Sequence, residues 1–250
     1  FANASTDISQ LLDNDAINTV VIATQHNLHA EQVISSLNAG KNVFVEKPLA
    51  LSHLELDSIE QAYNAQDGKC RVMVGYNRRF APHIVKMKSL LANVTEPKAF
   101  IMTMNAGAIP ADHWTQDSSV GGGRVIGEAC HYIDLMRFLA DSEIVDFNAT
   151  CMGAAPGVDV TEDKAAITLT FKDGSFGTIH YLANGGKAFA KERIEVFANN
   201  GVLQLDNFRK LTGYDWPGFK KYKLMSQDKG QGGCSKAFIS AINSGIESPI

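Results

Sequence analysis

Cysteine is scarce: Cys70, Cys130, Cys151 and Cys234 are the only four in 250 residues, far apart and without a CxxC pair. This excludes a disulfide scaffold, and the thiols are expected to be reduced, as in the cytoplasm. An excess of one charge is also missing. The 23 Lys and Arg against 27 Asp and Glu leave a net charge of -4, which provides no field for a nucleic acid or an anionic membrane. No apolar run approaches the ~20 residues that span a bilayer, and no cationic-then-apolar leader opens the chain, so neither insertion nor export is expected. Among seven histidines only His26 and His29 stand close together, with no carboxylate or thiolate at a ligand spacing, so no metal site is expected. The rest is ordinary globular usage, 45% hydrophobic and 20% charged, which excludes disorder and coiled coil and leaves room for one large domain or two modest ones. A small neutral or polar ligand is the expected partner.

A short helix is expected over residues 7–12. The apolar run 19–23 then lacks alternation, as a strand buried on both faces of a parallel sheet requires. Residues 28–39 show helical spacing at Leu28, Val33, Ile34 and Leu37, with Gly40 as the C-cap and a second buried run at 43–45. Ser52 and Glu55 form a capping box for a helix to about residue 66, and residues 71–75 supply a third strand. Right-handed crossovers make these strands parallel and bring loops 24–29, 46–48 and 76–80 to one carboxyl edge, where open α/β sheets bind ligands. Beyond residue 80 the pattern predicts a helix at 82–91, a strand at 98–105 and a glycine-led helix at 121–139. Strand pairs 165–171/175–182 and 193–198/202–206 follow, turned by Asp173-Gly174 and Asn200-Gly201, and a last helix spans 235–244. The fold class is α/β, a parallel sheet followed by a largely antiparallel second domain, with the boundary placed between residues 1–76 and 77–250.

Several constellations can carry chemistry. Lys47, between Glu46 and Pro48 where a buried strand meets the ligand edge, can donate to a substrate oxygen; Pro48 fixes the backbone and is able to take the cis form. Equally, Glu46 and Lys47 suit a solvated turn. Arg124, Glu128 and His131, at offsets of four and three, share one helix face that can orient a substrate, Glu128 fixing an imidazole suited to proton transfer. The same stripe also suits a surface helix with one ion pair. Thr24, Asn27 and His29 lead into a helix N-terminus able to hold a ribose or phosphate, although N-capping alone would account for Asn27. Asn77, Arg78 and Arg79 can clamp a polyhydroxylated ligand or form ion pairs between domains. His113 and Trp114 suit a sugar-stacking lid or simple packing over the core.

The blocks Ala23-Thr24 with Asn27-Leu28-His29-Ala30, Ala39-Gly40-Lys41-Asn42-Val43 into Glu46-Lys47-Pro48-Leu49, Gly75-Tyr76-Asn77-Arg78-Arg79-Phe80, and Gly121-Gly122-Gly123 ahead of Cys130-His131 and Asp134 stand in the order of the Gfo/Idh/MocA oxidoreductases. The chain resembles that family over nearly its whole length. Gly-Gly-Gly-Arg before Gly-Glu-x-Cys-His is similar to the oxidoreductase part of bi-domain proteins of bacterial polysaccharide biosynthesis. The resemblance implies a Rossmann domain that binds NAD or NADP, then a domain with a large open antiparallel sheet that builds a homo-oligomer. It implies hydride transfer between the nicotinamide and a sugar or nucleotide sugar. Lys47 would then hold the reacting oxygen and His131 would be the acid or base. Thr24, Asn27, His29, Glu46, Lys47 and Asn77 would line the cofactor, and Arg78, His113, Trp114 and Arg124 the substrate. The family places Asp four residues before the histidine; here Gly127 stands there and the carboxylate is Glu128, expected as orienter or substrate ligand. No GxGxxG precedes Thr24, so the chain reads as a Rossmann domain without its first half, expected to bind NAD very weakly or not at all and to be inactive alone, and as one that also stops early. Two other readings accompany this one: an NAD-dependent glycosidase of the same fold, and a non-catalytic oligomerisation or carbohydrate-binding module.

Overall fold

The computed structural model describes residues 4–250. After a short helix α1 (Ser9–Leu12), three apolar runs form a parallel sheet in the order β1 (Thr19–Ile22), β2 (Asn42–Val45), β3 (Val72–Val74), with Val20 opposite Val43 and Val43 opposite Val72. A 3-10 turn (His26–Leu28) runs into α2 (His29–Asn38), and α3 (His53–Asn64) follows β2. Gly40 ends α2 with φ +69°, and Ser52 with Glu55 closes the expected capping box at α3. The apolar stripe of α2, Val33 and Leu37, packs on Val20, Ile22, Val43 and Val45. The central strand is covered on both sides, since Phe44 meets Phe238 from across the sheet at 5.7 Å. β1 is different: it is an edge strand with Val21 68% exposed, so its unalternating run is not buried on both faces.

The chain continues through a 3-10 turn (Asn77–Phe80), α4 (Pro82–Leu91), β4 (Ala99–Asn105), a π-helical turn (Val125–Ala129) and α5 (Cys130–Ala140). Then come β5 (Ile144–Cys151), β6 (Lys164–Phe171), β7 (Phe176–Leu182), β8 (Glu192–Ala198), β9 (Gly201–Asp206), β10 (Lys210–Tyr214), β11 (Lys221–Lys223) and α6 (Gln231–Ser244). The second sheet has the order β11-β10-β9-β8-β4-β7-β6-β5 and is antiparallel except between β4 and β7. Both expected hairpins form, β6 with β7 and β8 with β9. One face packs Phe100, Met102, Met104 and Ile179 against Ile84 and Met87 of α4 and Tyr132, Leu135 and Met136 of α5. The other face leaves Ile101, Phe176 and Phe197 exposed.

The glycine-led helix needs correction. Gly121 and Gly122 stand outside it: the helix starts at Gly123, where Gly122 and Gly123 take left-handed φ of +73° and +80°, and passes through the π-helical turn Val125–Ala129 before α5. Strands β5, β10 and β11 are absent from the sequence reading; β5 carries the alternation Val145, Phe147, Ala149, Cys151, yet all but its first residue are exposed. Among the described residues no helix is long and apolar enough to cross a membrane.

Candidate active site

The carboxyl ends of β1, β2 and β3 send their loops toward the start of α5, and a cavity of about 310 Å³ opens between them. Lys47 enters it from the end of β2, followed by a cis Lys47-Pro48 peptide, and its Nζ donates to the Gly127 carbonyl at 2.8 Å. His131, on the first turn of α5, lines the same cavity and is 5% exposed, with its Nδ1 buried and without a partner among the described residues. Burial, then the charges of Arg78, Lys47, Lys229 and Lys191, hold its imidazole well below the ordinary value, so it is neutral near pH 7.

Glu128 does not orient His131, contrary to the sequence reading. Its Oε2 accepts from Tyr181 Oη at 2.6 Å and Arg124 Nη2 at 3.1 Å, and its Oε1 accepts from Lys191 Nζ at 3.2 Å. Burial pushes this carboxyl up, but the Tyr181 hydrogen bond, Lys191 and Arg124 outweigh it and leave it below the usual range. Glu128 is therefore a charged anchor that fixes Arg124, whose Nη1 also donates to the Gly107 carbonyl at 2.6 Å. Arg78 reaches the cavity from the loop after β3, and behind it Glu192 accepts from Arg78 Nη2 at 2.9 Å and Lys229 Nζ at 3.1 Å. His113 and Trp114 line the outer wall, His113 Nδ1 lying 2.9 Å from Thr115 Oγ1.

Seven expected residues thus share one cavity: Lys47, Arg78, His113, Trp114, Arg124, Glu128 and His131. Thr24, Asn27 and Glu46 lie outside it, exposed at the carboxyl edge of β1 and β2. Thr24 Oγ1 donates to Gln32 at 2.8 Å, and Asn27 makes no side-chain cap bond. One cofactor assignment is corrected. His29 is fully buried, its ring nitrogens 2.7 Å from the Pro48 carbonyl and 3.1 Å from that of Thr24, so it braces two loops and offers a ligand nothing. Asn77 turns its amide to the Lys229 carbonyl at 2.7 Å. The sequence reading misses His26, Tyr181, Lys191, Glu192 and Lys229, whose partners lie far along the chain and leave no local spacing to read.

Three buried imidazoles make stability depend on pH. Burial lowers His26, His83 and His131 alike. Folded, each takes its proton only at lower pH than it does unfolded, where protonation follows as pH falls through about 6.5. The unfolded state then binds more protons, so their contribution is complete above about pH 6.5 and is lost on acidification. Calorimetric Tm is expected to fall between roughly pH 7 and 5, ahead of the carboxylate range; a Tm that holds or rises over that interval would contradict it.

Comparison with known proteins agrees with this architecture. Residues 2–76 match a family model described as "Oxidoreductase family, NAD-binding Rossmann fold", and residues 86–204 match "GFO/IDH/MocA C-terminal domain". Myo-inositol 2-dehydrogenase of Thermotoga maritima is 28% identical over 82% of this chain and 61% of its own length. Inositol 2-dehydrogenase of Rhizobium meliloti is 26% identical over 92% of this chain and 72% of its own. The chain spans about three-fifths of the length of the Thermotoga protein and of a Bacillus subtilis oxidoreductase it also matches. The solved structure of levoglucosan dehydrogenase in complex with NADH and levoglucosan shares the fold, with a TM-score of 0.86 at 24% identity over 100% of this chain and 77% of that one. With both domain models matched in order along one chain, and with that fold, the protein belongs to the Gfo/Idh/MocA oxidoreductase family.

Proposed function

We propose that this chain is part of an NAD(P)-dependent dehydrogenase or reductase of a cyclic polyol, sugar or nucleotide sugar. Residues 1–76 serve the cofactor and residues 77–250 serve the substrate, the exposed sheet face meeting a second copy. The observation that carries the reading is the placement of the Lys47 ammonium and a neutral His131 in one cavity at the carboxyl edge of the parallel sheet. The names of the inositol and levoglucosan dehydrogenases among the relatives support a polyhydroxylated ring as substrate. Unpaired thiols at all four cysteines suit a reducing cytoplasm.

The residues present fit the nicotinamide end of a dinucleotide: the exposed hydroxyl, amide and carboxylate of Thr24, Asn27 and Glu46 border the strand end that carries Lys47. When bound, the nicotinamide supplies the hydride acceptor, or the donor in reverse. Lys47 holds the reacting oxygen and stabilises its negative charge. His131, neutral because buried among cations, accepts the hydroxyl proton in oxidation and returns it in reduction. Arg78 and Arg124 donate to the remaining oxygens, their guanidinium groups fixed by Glu192 and Glu128.

The test is nicotinamide absorbance of the natural protein with NAD and NADP against inositols, hexoses and nucleotide hexoses. Net turnover is expected. Aglycone release from nitrophenyl glycosides without net NADH would favour the glycosidase reading, and neither activity would leave a binding module. The acid limb of kcat/KM is expected below the ordinary histidine value of 6.5, and His131→Asn is expected to remove it. A limb above 6.5, or one unchanged in the variant, would remove His131 from the proton step.

A further inference from the structure

Gly127 sits where three groups meet. A methyl built on its Cα would lie 2.9 Å from His26 Cε1 and 3.5 Å from His26 Nδ1, so the His26 ring occupies the space of a side chain at this position. The Gly127 carbonyl receives Lys47 Nζ at 2.8 Å, and His131 follows four residues later on the same wall. The ring is held from two further sides: Nδ1 lies 2.8 Å from the Gly121 carbonyl, and the Trp114 ring meets it edge-on at 4.8 Å. A carbonyl only accepts, so Nδ1 carries the ring hydrogen, and burial keeps the imidazole neutral. Nε2 keeps its lone pair, and none of the described residues donates to it.

The cavity is rich in donors and poor in acceptors. Lys47, Arg78 and Arg124 all bring N–H groups, while the Glu128 carboxylate already receives three donors. Every hydroxyl of a polyol brings a hydrogen that needs an acceptor, and burying one unmade costs free energy. We propose that His26 binds substrate, its Nε2 accepting a hydrogen bond from a hydroxyl beside the one held by Lys47, and that glycine at position 127 admits the ring. The assignment deepens the polyol reading above and rests on it. It makes His26 a specificity residue, selecting rings that carry the second hydroxyl over deoxy analogues.

Long-range 15N–1H spectra of the natural protein, with His26 assigned by the signal lost in His26→Phe, test this without turnover. Nε2 is expected in the unprotonated range, moving when myo-inositol or glucose is added, with the response weakened in Gly127→Ala. In kinetics His26→Ala is expected to lower kcat/KM by about five- to tenfold, mainly through KM, the loss of one hydrogen bond. Gly127→Ala should add nothing in the His26→Ala background, where the methyl has room. A protonated Nε2, or a ring unmoved by both polyols, overturns the inference. A polyol response without nicotinamide turnover leaves it standing and removes the dehydrogenase reading alone.

Discussion

Lys47→Ala is expected to lower kcat by about 10²- to 10³-fold, the loss seen when a single donor to a developing oxyanion is removed. The ammonium is aimed rather than free, with Nζ 2.8 Å from the Gly127 carbonyl and His131 on the same wall. A substrate oxygen at this point takes up a hydrogen bond that strengthens as negative charge develops, so the loss belongs in kcat more than in KM. Lys47→Arg is not expected to restore the rate, because the planar guanidinium does not reproduce a compact point charge. The measurement is steady-state nicotinamide turnover at saturating substrate; a loss below about tenfold would place Lys47 outside the oxyanion role.

The second large effect concerns stability. Glu192, 1% exposed, lies between Arg78 from the loop after β3 and Lys229 from the segment before α6, tying the two sheets together. Burial raises its carboxyl, yet Arg78 and Lys229 outweigh that and hold it ionised. Glu192→Ala leaves Arg78 and Lys229 facing each other in a largely buried site without their shared carboxylate, which costs about 3–5 kcal/mol. For a chain of this size that lowers Tm by roughly 6–20 °C. Glu192→Gln keeps the volume and one acceptor and is expected to fall between the variant and the natural protein. Thermal unfolding of all three decides it, and an alanine variant within about 1 kcal/mol of the natural protein would show that the cluster contributes little.

What the sequence revealed of the fold follows the range of the interactions involved. Val43 and Val45 are apolar because α2 covers them, and the hairpins at Asp173-Gly174 and Asn200-Gly201 carry their own turn chemistry. β5 carries a period-two alternation at Val145, Phe147, Ala149 and Cys151 that the sequence reading passes over, although the strand is almost wholly exposed and held by β6. The site divides in the same way. Lys47, Arg124 and His131 are legible because a strand end and a helical spacing place them. His26 is not, since its position depends on Gly121, 95 residues later, and on the missing side chain of Gly127. Glu128 is legible as a residue but not in its role, because Tyr181 and Lys191 come from distant segments.

The parallel junction inside the antiparallel sheet sets the order in which the domain can assemble. β4 has β7 on one side and β8 on the other, and both are synthesised long after it. The β6–β7 and β8–β9 hairpins close over short turns and form quickly; the joining of those two halves waits for β4 to be captured between them across long loops. Until then Phe100, Met102 and Met104, which end in the core, stand on a strand with two open edges. The strand at the centre of the finished sheet is thus the longest without partners on the ribosome, and it is there that the nascent chain is most exposed to wrong pairing.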